Sequence, residues 1–218
     1  MLANRVIASG RAATLTLVSA TSSSANSMTL PGSLLAGDLG VLIASAGNFG
    51  NNTTYSVPGD FTKVTDGGRG TPATGATAVC FAKILETSDI SRLINTVNGD
   101  TEANFFYVLR PDAAISGFAY NTWDFEGPIS QQPAQDTVDL SVPATPFVWF
   151  GHAGADDSTP SFSTNSPAFT ATASVSGTSW AARAGYLIYN VRGSAGATLR
   201  ASDGGNNNIQ MTGWISVY

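Results

Sequence analysis

Short runs of apolar or alternating residues recur along the chain, separated by clusters rich in Gly, Pro, Asn and Ser. This spacing is typical of an antiparallel β-sandwich or barrel. Apolar and polar residues alternate in Thr14–Leu17 and Asp136–Leu140, which predicts strands with one solvated face. Phe105–Leu109 is apolar on both faces and is predicted to be a central strand. The predicted strands are Ala13–Val18, Leu39–Ala44, Phe61–Thr65, Ala76–Leu85, Asn104–Arg110, Gly117–Asp124, Thr137–Val142, Phe147–His152, Ala168–Ser176, Arg183–Val191 and Ile209–Tyr218.

The stretch Leu34–Gly47, LLAGDLGVLIASAG, contains three glycines and a long apolar run. It has neither the GxGxxG spacing nor the Lys-Ser/Thr pair of a phosphate-binding loop, and a polar turn follows it. It is also about half the ~18 apolar residues that a membrane helix requires, so no membrane insertion is predicted. Gly37 and Asp38 are therefore predicted to form a tight turn that leads into a buried strand from Leu39.

The polar residues are of types that favour strands and turns. The chain has only two lysines and three glutamates, whereas Thr, Ser, Asn, Asp and 23 glycines are abundant. Exposed helix faces normally carry Glu, Lys, Gln and Arg, so helix is predicted in under about 10% of residues. The best helix candidate is Glu86–Leu93, where Ser88 or Asp89 would cap a turn or two. Without a linker-like segment, residues 1–218 are predicted to form a single antiparallel, jelly-roll-like β-sandwich.

The charge balance excludes one class of partner and favours another. Charged residues make up 11% of the chain and the net charge is −5, with no basic cluster. Nucleic-acid binding needs cations that neutralise phosphates, so it is not predicted. Low charge removes the repulsion that keeps proteins monomeric, so a homo-oligomer is expected, with a trimer as the first expectation.

One stretch imitates a catalytic motif. Gly177–Ala182, GTSWAA, resembles the serine block of subtilisin-like proteases, and His152 lies upstream of Ser179. Serine catalysis needs a base and a third group that orients it, but the expected Asp-Thr-Gly or Asp-Ser-Gly is missing. The sequence therefore predicts a turn at 177–179, a hydrogen-bonded structural role for His152, and no catalytic residues.

Acidic and amide clusters do not combine into a metal or sugar-cleaving site. Asp156–Ser158 and Asp203–Asn208 lack the several carboxylates at fixed spacing that calcium sites use. Asp124 and Glu126 lie on one strand, whereas glycoside hydrolysis needs carboxyl groups on both sides of the substrate. No metal, cofactor or enzymatic activity is predicted.

The two halves of the chain show a weak similarity. Val41–Gly47 leads through a polar loop to Phe61-Thr62 and then to a strand that ends at Ala82–Leu85. Phe147–Gly154 leads through a similar loop to Phe169-Thr170 and then to Tyr186–Tyr189. Duplicated β-halves that face each other would form a sandwich; a chance match of strand–turn patterns is the alternative.

Four segments together resemble a group of β-sandwich virion proteins of tailed bacteriophages: Ala36–Ala44, Val57–Val64, Ala76–Leu85 and Tyr107–Arg110. The group shares a Gly-Asp turn before an apolar strand, a Pro-x-Gly-aromatic-Thr segment, and a strand ending in an Arg-Gly or Arg-Pro turn. Here Asp60 separates Gly59 from Phe61, and Arg110 precedes Pro111. The resemblance implies a structural part of the virion, assembled in the host cytoplasm, such as a capsid decoration, tail, baseplate or fibre protein. It carries no catalytic residues.

Polar loops and exposed aromatic residues are the expected contact sites. Trp149 and Trp214 lie in apolar runs and are predicted to be core residues, whereas Trp180 follows a turn and is predicted to be exposed. Partners would be other virion proteins; in the alternative function, a lectin-like adhesin or receptor-binding domain, the ligand is a host surface glycan. The expected contact residues are Asn48, Asn51, Asn52, Tyr55, Trp180, Asn206 and Asn207.

Overall fold

The computed structural model describes residues 13–47, 57–69, 76–96, 102–120, 124–126, 136–140, 146–155, 160–164, 170–176, 180–190, 195–202 and 208–218. These residues form sixteen strands and one turn of 3-10 helix, Thr87–Asp89. The strands are β1 (Leu15–Ser23), β2 (Ser27–Thr29), β3 (Leu39–Gly47), β4 (Thr62–Arg69), β5 (Ala76–Ile84), β6 (Leu93–Asn95), β7 (Glu102–Pro111), β8 (Phe118–Tyr120), β9 (Asp124–Glu126), β10 (Asp136–Leu140), β11 (Phe147–Ala155), β12 (Ser161–Thr164), β13 (Thr170–Ser176), β14 (Ala181–Tyr189), β15 (Ala195–Ser202) and β16 (Asn208–Val217).

Two large antiparallel sheets form the body of the protein. The first sheet has the order β1-β7-β3-β5-β4, and the second has the order β13-β14-β11-β16-β8, with β9 also pairing with β16. The central strands β3 and β11 contain no Asp, Glu, Lys or Arg, and every residue in both is buried. Uniformly apolar strands occupy the centre of a sheet because both of their faces are covered.

The two large sheets pack face to face around the main core. Apolar side chains from both sheets meet there, including Val41, Ile43, Phe105, Phe150, Met211 and Ile215. At one end of the sandwich, the Asn190 side chain after β14 accepts a hydrogen bond from the Leu15 amide (2.8 Å) and donates one to the Leu15 carbonyl (2.9 Å). The all-β sandwich predicted from the sequence is confirmed.

Smaller elements cover the outer face of the first sheet. The pair β2–β6 and the segments beside it place Leu30, Leu34 and Leu85 against Leu42 and Phe106, which forms a second core. A three-stranded sheet, β10-β15-β12, lies next to the second large sheet through β10 and β16. Trp149 and Trp214 on the second sheet are buried, as predicted.

The two large sheets repeat one another in strand order and pairing. Reading from β1 and from β8, the orders are β1-β7-β3-β5-β4 and β8-β16-β11-β14-β13. The pairing register shifts by one residue between Lys63 and Thr65 in β4, and between Ala171 and Ala173 in the equivalent β13. The small pairs β2–β6 and β10–β15 also occupy equivalent places along the chain: β2 and β10 come before β3 and β11, and β6 and β15 come before β7 and β16. The predicted similarity of the two halves is therefore confirmed as a structural repeat, with the same faces turned inwards.

The structure departs from the sequence prediction in three respects. The predicted strand Gly117–Asp124 corresponds to two short strands, β8 and β9, while β2, β6, β12 and β15 were not predicted because they are short or polar. The predicted helix Glu86–Leu93 is a single 3-10 turn followed by β6, because Leu93 and Ile94 pair with β2. The chain completes most of one sheet before it enters the other, whereas in a jelly roll it would pass between sheets.

Candidate functional site

Trp180 is buried, and the prediction that it is an exposed contact residue is wrong. Its relative exposure is 1%, and its indole nitrogen donates a hydrogen bond of 3.1 Å to the Ser45 hydroxyl of the opposite sheet. The ring occupies space that Gly47 and Gly154 leave free, because a Cβ at either glycine would collide with it. Trp180 therefore closes one end of the inter-sheet core and is not a platform for a ligand.

The other predicted contact residues, Asn48, Asn51, Asn52, Tyr55, Asn206 and Asn207, lie outside the described residues. The described strand ends beside them do share one end of the sandwich. β3 ends at Gly47 against Trp180, and β16 begins at Asn208, which pairs with Ala155 beside the start of β14.

The turn that resembles the phage group has a structural function. Gly37 adopts φ +93°, where side chains are disfavoured, and its amide donates a hydrogen bond to the Leu85 carbonyl. Asp38 is buried and accepts hydrogen bonds from Arg110 Nε (2.9 Å) and Nη2 (2.8 Å), and from the Leu35 amide (2.8 Å). This bidentate pairing of Asp38 with Arg110 joins the start of β3 to the end of β7 and fixes the segment that precedes β3.

Four charged residues tie the covering segment of residues 85–96 to the first sheet. Lys83 Nζ lies 2.6 Å from Asp60 and 2.8 Å from Asp89, and Arg92 Nη1 lies 2.7 Å from Asp60 and 2.9 Å from Asp89. Asp89 is fully buried and also accepts a hydrogen bond from the Glu86 amide. We call these four side chains, Asp60, Lys83, Asp89 and Arg92, the ion cluster. The cluster makes the covering segment rigid because each buried charge has partners on two segments.

The ion cluster shifts the titration of its members in opposite directions. Hydrogen bonding to Arg92 holds the pKa of Asp60 well below its usual range. Burial acts to raise the pKa of Asp89, but hydrogen bonds from Lys83, the Glu86 amide and Arg92 outweigh it and lower this pKa. Burial acts to lower the pKa of Lys83, but its hydrogen bonds with Asp60 and Asp89 raise it. All four groups are thus charged at neutral pH.

Three exposed apolar side chains belong to the covering layer. Leu93, Leu35 and Ile90 have relative exposures of 64%, 53% and 39%. They belong to two segments that lie side by side, since the Leu30 amide donates to the Arg92 carbonyl (2.8 Å) and the Gly37 amide donates to the Leu85 carbonyl (2.9 Å). We call Leu35, Ile90 and Leu93 the cover patch. It is the candidate interaction surface within the described part of the chain.

His152 is fully buried in the main core. Its ring packs edge-on against Phe105 of the opposite sheet, with ring centroids 5.6 Å apart. Neither ring nitrogen has a hydrogen-bond partner among the residues that the structure describes, so the predicted hydrogen bonding of this residue is wrong. Burial lowers the pKa of His152 to about 3. Ser179 lies outside the described residues.

The remaining candidate groups give no metal-binding cluster within the described ranges. These ranges contain no group of three or more His, Cys, Asp or Glu side chains that could hold a metal ion. They also include no helix of the length and hydrophobicity needed to cross a bilayer. Asp124 and Glu126 lie on the single short strand β9, while Asp156–Ser158 and residues 203–207 lie outside the described residues.

Sequence reasoning missed the cover patch and the ion cluster. Leu93 and Ile90 fell in a predicted helix, so their exposure was not foreseen. A signal for the ion cluster was present, because Lys83 is one of only two lysines and interrupts an apolar strand. Comparisons with models of known families, with curated proteins and with solved structures find no match for this chain.

Proposed function

We propose that this chain is a non-enzymatic structural component of a bacteriophage virion, which acts through contacts with other virion proteins and with copies of itself. The resemblance in Ala36–Ala44 and Tyr107–Arg110 supports the assignment to a virion. The residues of that pattern serve the architecture, because Gly37 and Asp38 form the turn that Arg110 anchors. Because the residues of this pattern stabilise the fold, the pattern is compatible with a protein that functions through assembly with other proteins.

The cover patch is the observation that carries the proposal. Ile90 and Leu93 lie on the segment held by the ion cluster, and Leu35 lies on the segment that the Asp38–Arg110 pairing fixes. A rigid surface loses little conformational entropy when a partner binds, so more of the contact energy appears as affinity. Exposed apolar residues on one layer are typical of contact surfaces between proteins.

The size of the patch favours a contact that is repeated many times. Burying Leu35, Ile90 and Leu93 from their present exposure yields about 3 kcal/mol, using about 2 kcal/mol for a fully buried aliphatic side chain. A dissociation constant of 1 μM requires about 8 kcal/mol, so this patch alone does not hold two free molecules together. On a particle, many copies engage at once and avidity multiplies weak contacts.

Peptide mass spectrometry of gradient-purified phage particles tests the proposal. We expect peptides of this chain in the particles, at many copies per particle. If they are absent from particles, while the purified chain binds one defined glycan on an array, the lectin-like alternative replaces the proposal.

A further inference from the structure

The single histidine of the chain lies at the interface between the two large sheets. His152 is 0% exposed, on the central strand β11, and it faces Phe105 on β7 of the first sheet. Both ring nitrogens lack hydrogen-bond partners among the described residues. A buried imidazole without partners is tolerated only in its neutral form, because a buried unpaired charge is far more costly than a buried neutral polar group.

In the described part of the chain, the two strands nearest to His152 in sequence register and pairing offer no charge that would stabilise a protonated ring. β3 and β16 contain no titratable residue. Among the residues that form the main core on the other strands, the titratable ones are Cys80 on β5, Tyr107 on β7 and Tyr186 on β14. Burial raises the pKa of both Cys80 and Tyr186, so neither carries negative charge in acid. The ion cluster and the Asp38–Arg110 pair lie outside this core.

We propose that His152 makes the sandwich acid-labile: the ring accepts a proton only when the two sheets separate, so acid favours the separated state. The direction of this pH dependence follows from the pKa of His152 in the unfolded and folded states. In the unfolded chain the pKa is ordinary, near 6.5, whereas burial in the folded protein lowers the pKa to about 3. The unfolded state therefore binds the additional proton below pH 6.5, and stability is lost progressively from pH 6.5 down to pH 3.

The expected effect of pH on the folding equilibrium is large enough to be distinguished from the effects of other titrating groups. At pH 5, one preferentially protonated histidine lowers the folding equilibrium constant by about 30-fold, because the unfolded pKa lies 1.5 units above that pH. The acid response belongs to the fold, and it is the same whether or not the chain assembles into a particle.

Chemical unfolding of the full chain at pH 7 and pH 5 tests the proposal, with His152→Leu and His152→Gln as variants that cannot be protonated. Between these pH values, we expect the wild type to lose about 25-fold more in its folding constant than either variant. Parallel losses in all three proteins would overturn the proposal.

Proton NMR gives a second test that needs no variant, since the chain has one histidine. The Hε1 resonance of the folded wild type should not titrate between pH 7.5 and the onset of unfolding. A folded-state titration with a midpoint near pH 6.5 would also overturn the proposal.

Discussion

Trp180→Ala should remove a large part of the stability of this fold. A buried aromatic side chain removes roughly 200 Å² from water, worth about 5 kcal/mol at about 25 cal/mol per Å², and measured Trp→Ala changes in cores cost about 3–5 kcal/mol. Loss of the hydrogen bond leaves the Ser45 hydroxyl buried without this partner and adds about 1 kcal/mol. Small domains have about 5–15 kcal/mol in total, so we expect unfolding at a much lower denaturant concentration.

A double-mutant cycle shows whether the packing against glycine is the cause. In the wild type, Gly154→Ala places a Cβ into the Trp180 ring, and overpacking of this kind costs about 1–3 kcal/mol. With Trp180→Ala the space is empty, so the same substitution should cost almost nothing and the coupling should be about 2 kcal/mol. Gly59→Ala is the control, because an added Cβ there meets nothing within 4 Å. If the Gly154 and Trp180 costs add within about 0.5 kcal/mol, packing of the Trp180 ring against Gly154 is not the cause.

Four further predictions concern the ion cluster, its pH dependence, the turn and the response to salt. Asp89→Ala should cost about 3–5 kcal/mol in denaturant unfolding because it removes a buried partner of Lys83, whereas Asp60→Ala, at a 40% exposed side chain, should cost about 1 kcal/mol or less; equal costs would contradict this account. The lowered pKa of Asp89 should stabilise the folded protein above pH 3.8, and this stabilisation should be lost as the pH falls through the pKa of Asp89 in the folded state. The raised pKa of Lys83 should stabilise the folded protein below pH 10.5, and this stabilisation should be lost as the pH rises through the pKa of Lys83 in the folded state. Gly37→Ala should cost about 1 kcal/mol because of its positive φ, and an unchanged midpoint would count against the turn. Any self-association detected by light scattering should change little between low and high salt, since the cover patch is apolar; steep weakening by salt would indicate charged contacts instead.

At equivalent positions of the two sheets, a small and a large side chain in one sheet correspond to a large and a small side chain in the other. Gly40 in the first sheet and Trp149 in the second are equivalent, as are Phe106 and Thr212, when the strand pairings are superimposed. In the first sheet a Cβ at Gly40 would lie 2.9 Å from the Phe106 ring. In the second, Trp149 Nε1 donates a hydrogen bond of 2.6 Å to the Thr212 hydroxyl. Large and small residues have exchanged places while the space between the strands remains filled.

The longer apolar strands were predictable from sequence because their signal is local. Alternation and apolar runs identified the central strands β3, β7 and β11, and the Gly37-Asp38 turn was also recognised. The burial of Trp180 was not predictable, because it depends on Gly47 and Gly154, which lie far away in sequence and become its neighbours only when the sheets pack. Exposure of Leu93 likewise depends on its pairing with Thr29 in a strand of three residues, too short to give a periodic pattern.

The central claim, that the cover patch mediates assembly, is tested most directly by co-sedimentation of the purified chain with phage particles that lack it. The double variant Leu35→Ser/Leu93→Ser removes the two most exposed apolar side chains of the patch, and Tyr218→Ser is the matched control, because Tyr218 and Leu93 are both 64% exposed. We predict that the wild type and Tyr218→Ser sediment equally with the particles, while the double variant binds at least 10-fold more weakly. Equal binding by all three proteins, or binding by none, would contradict the claim.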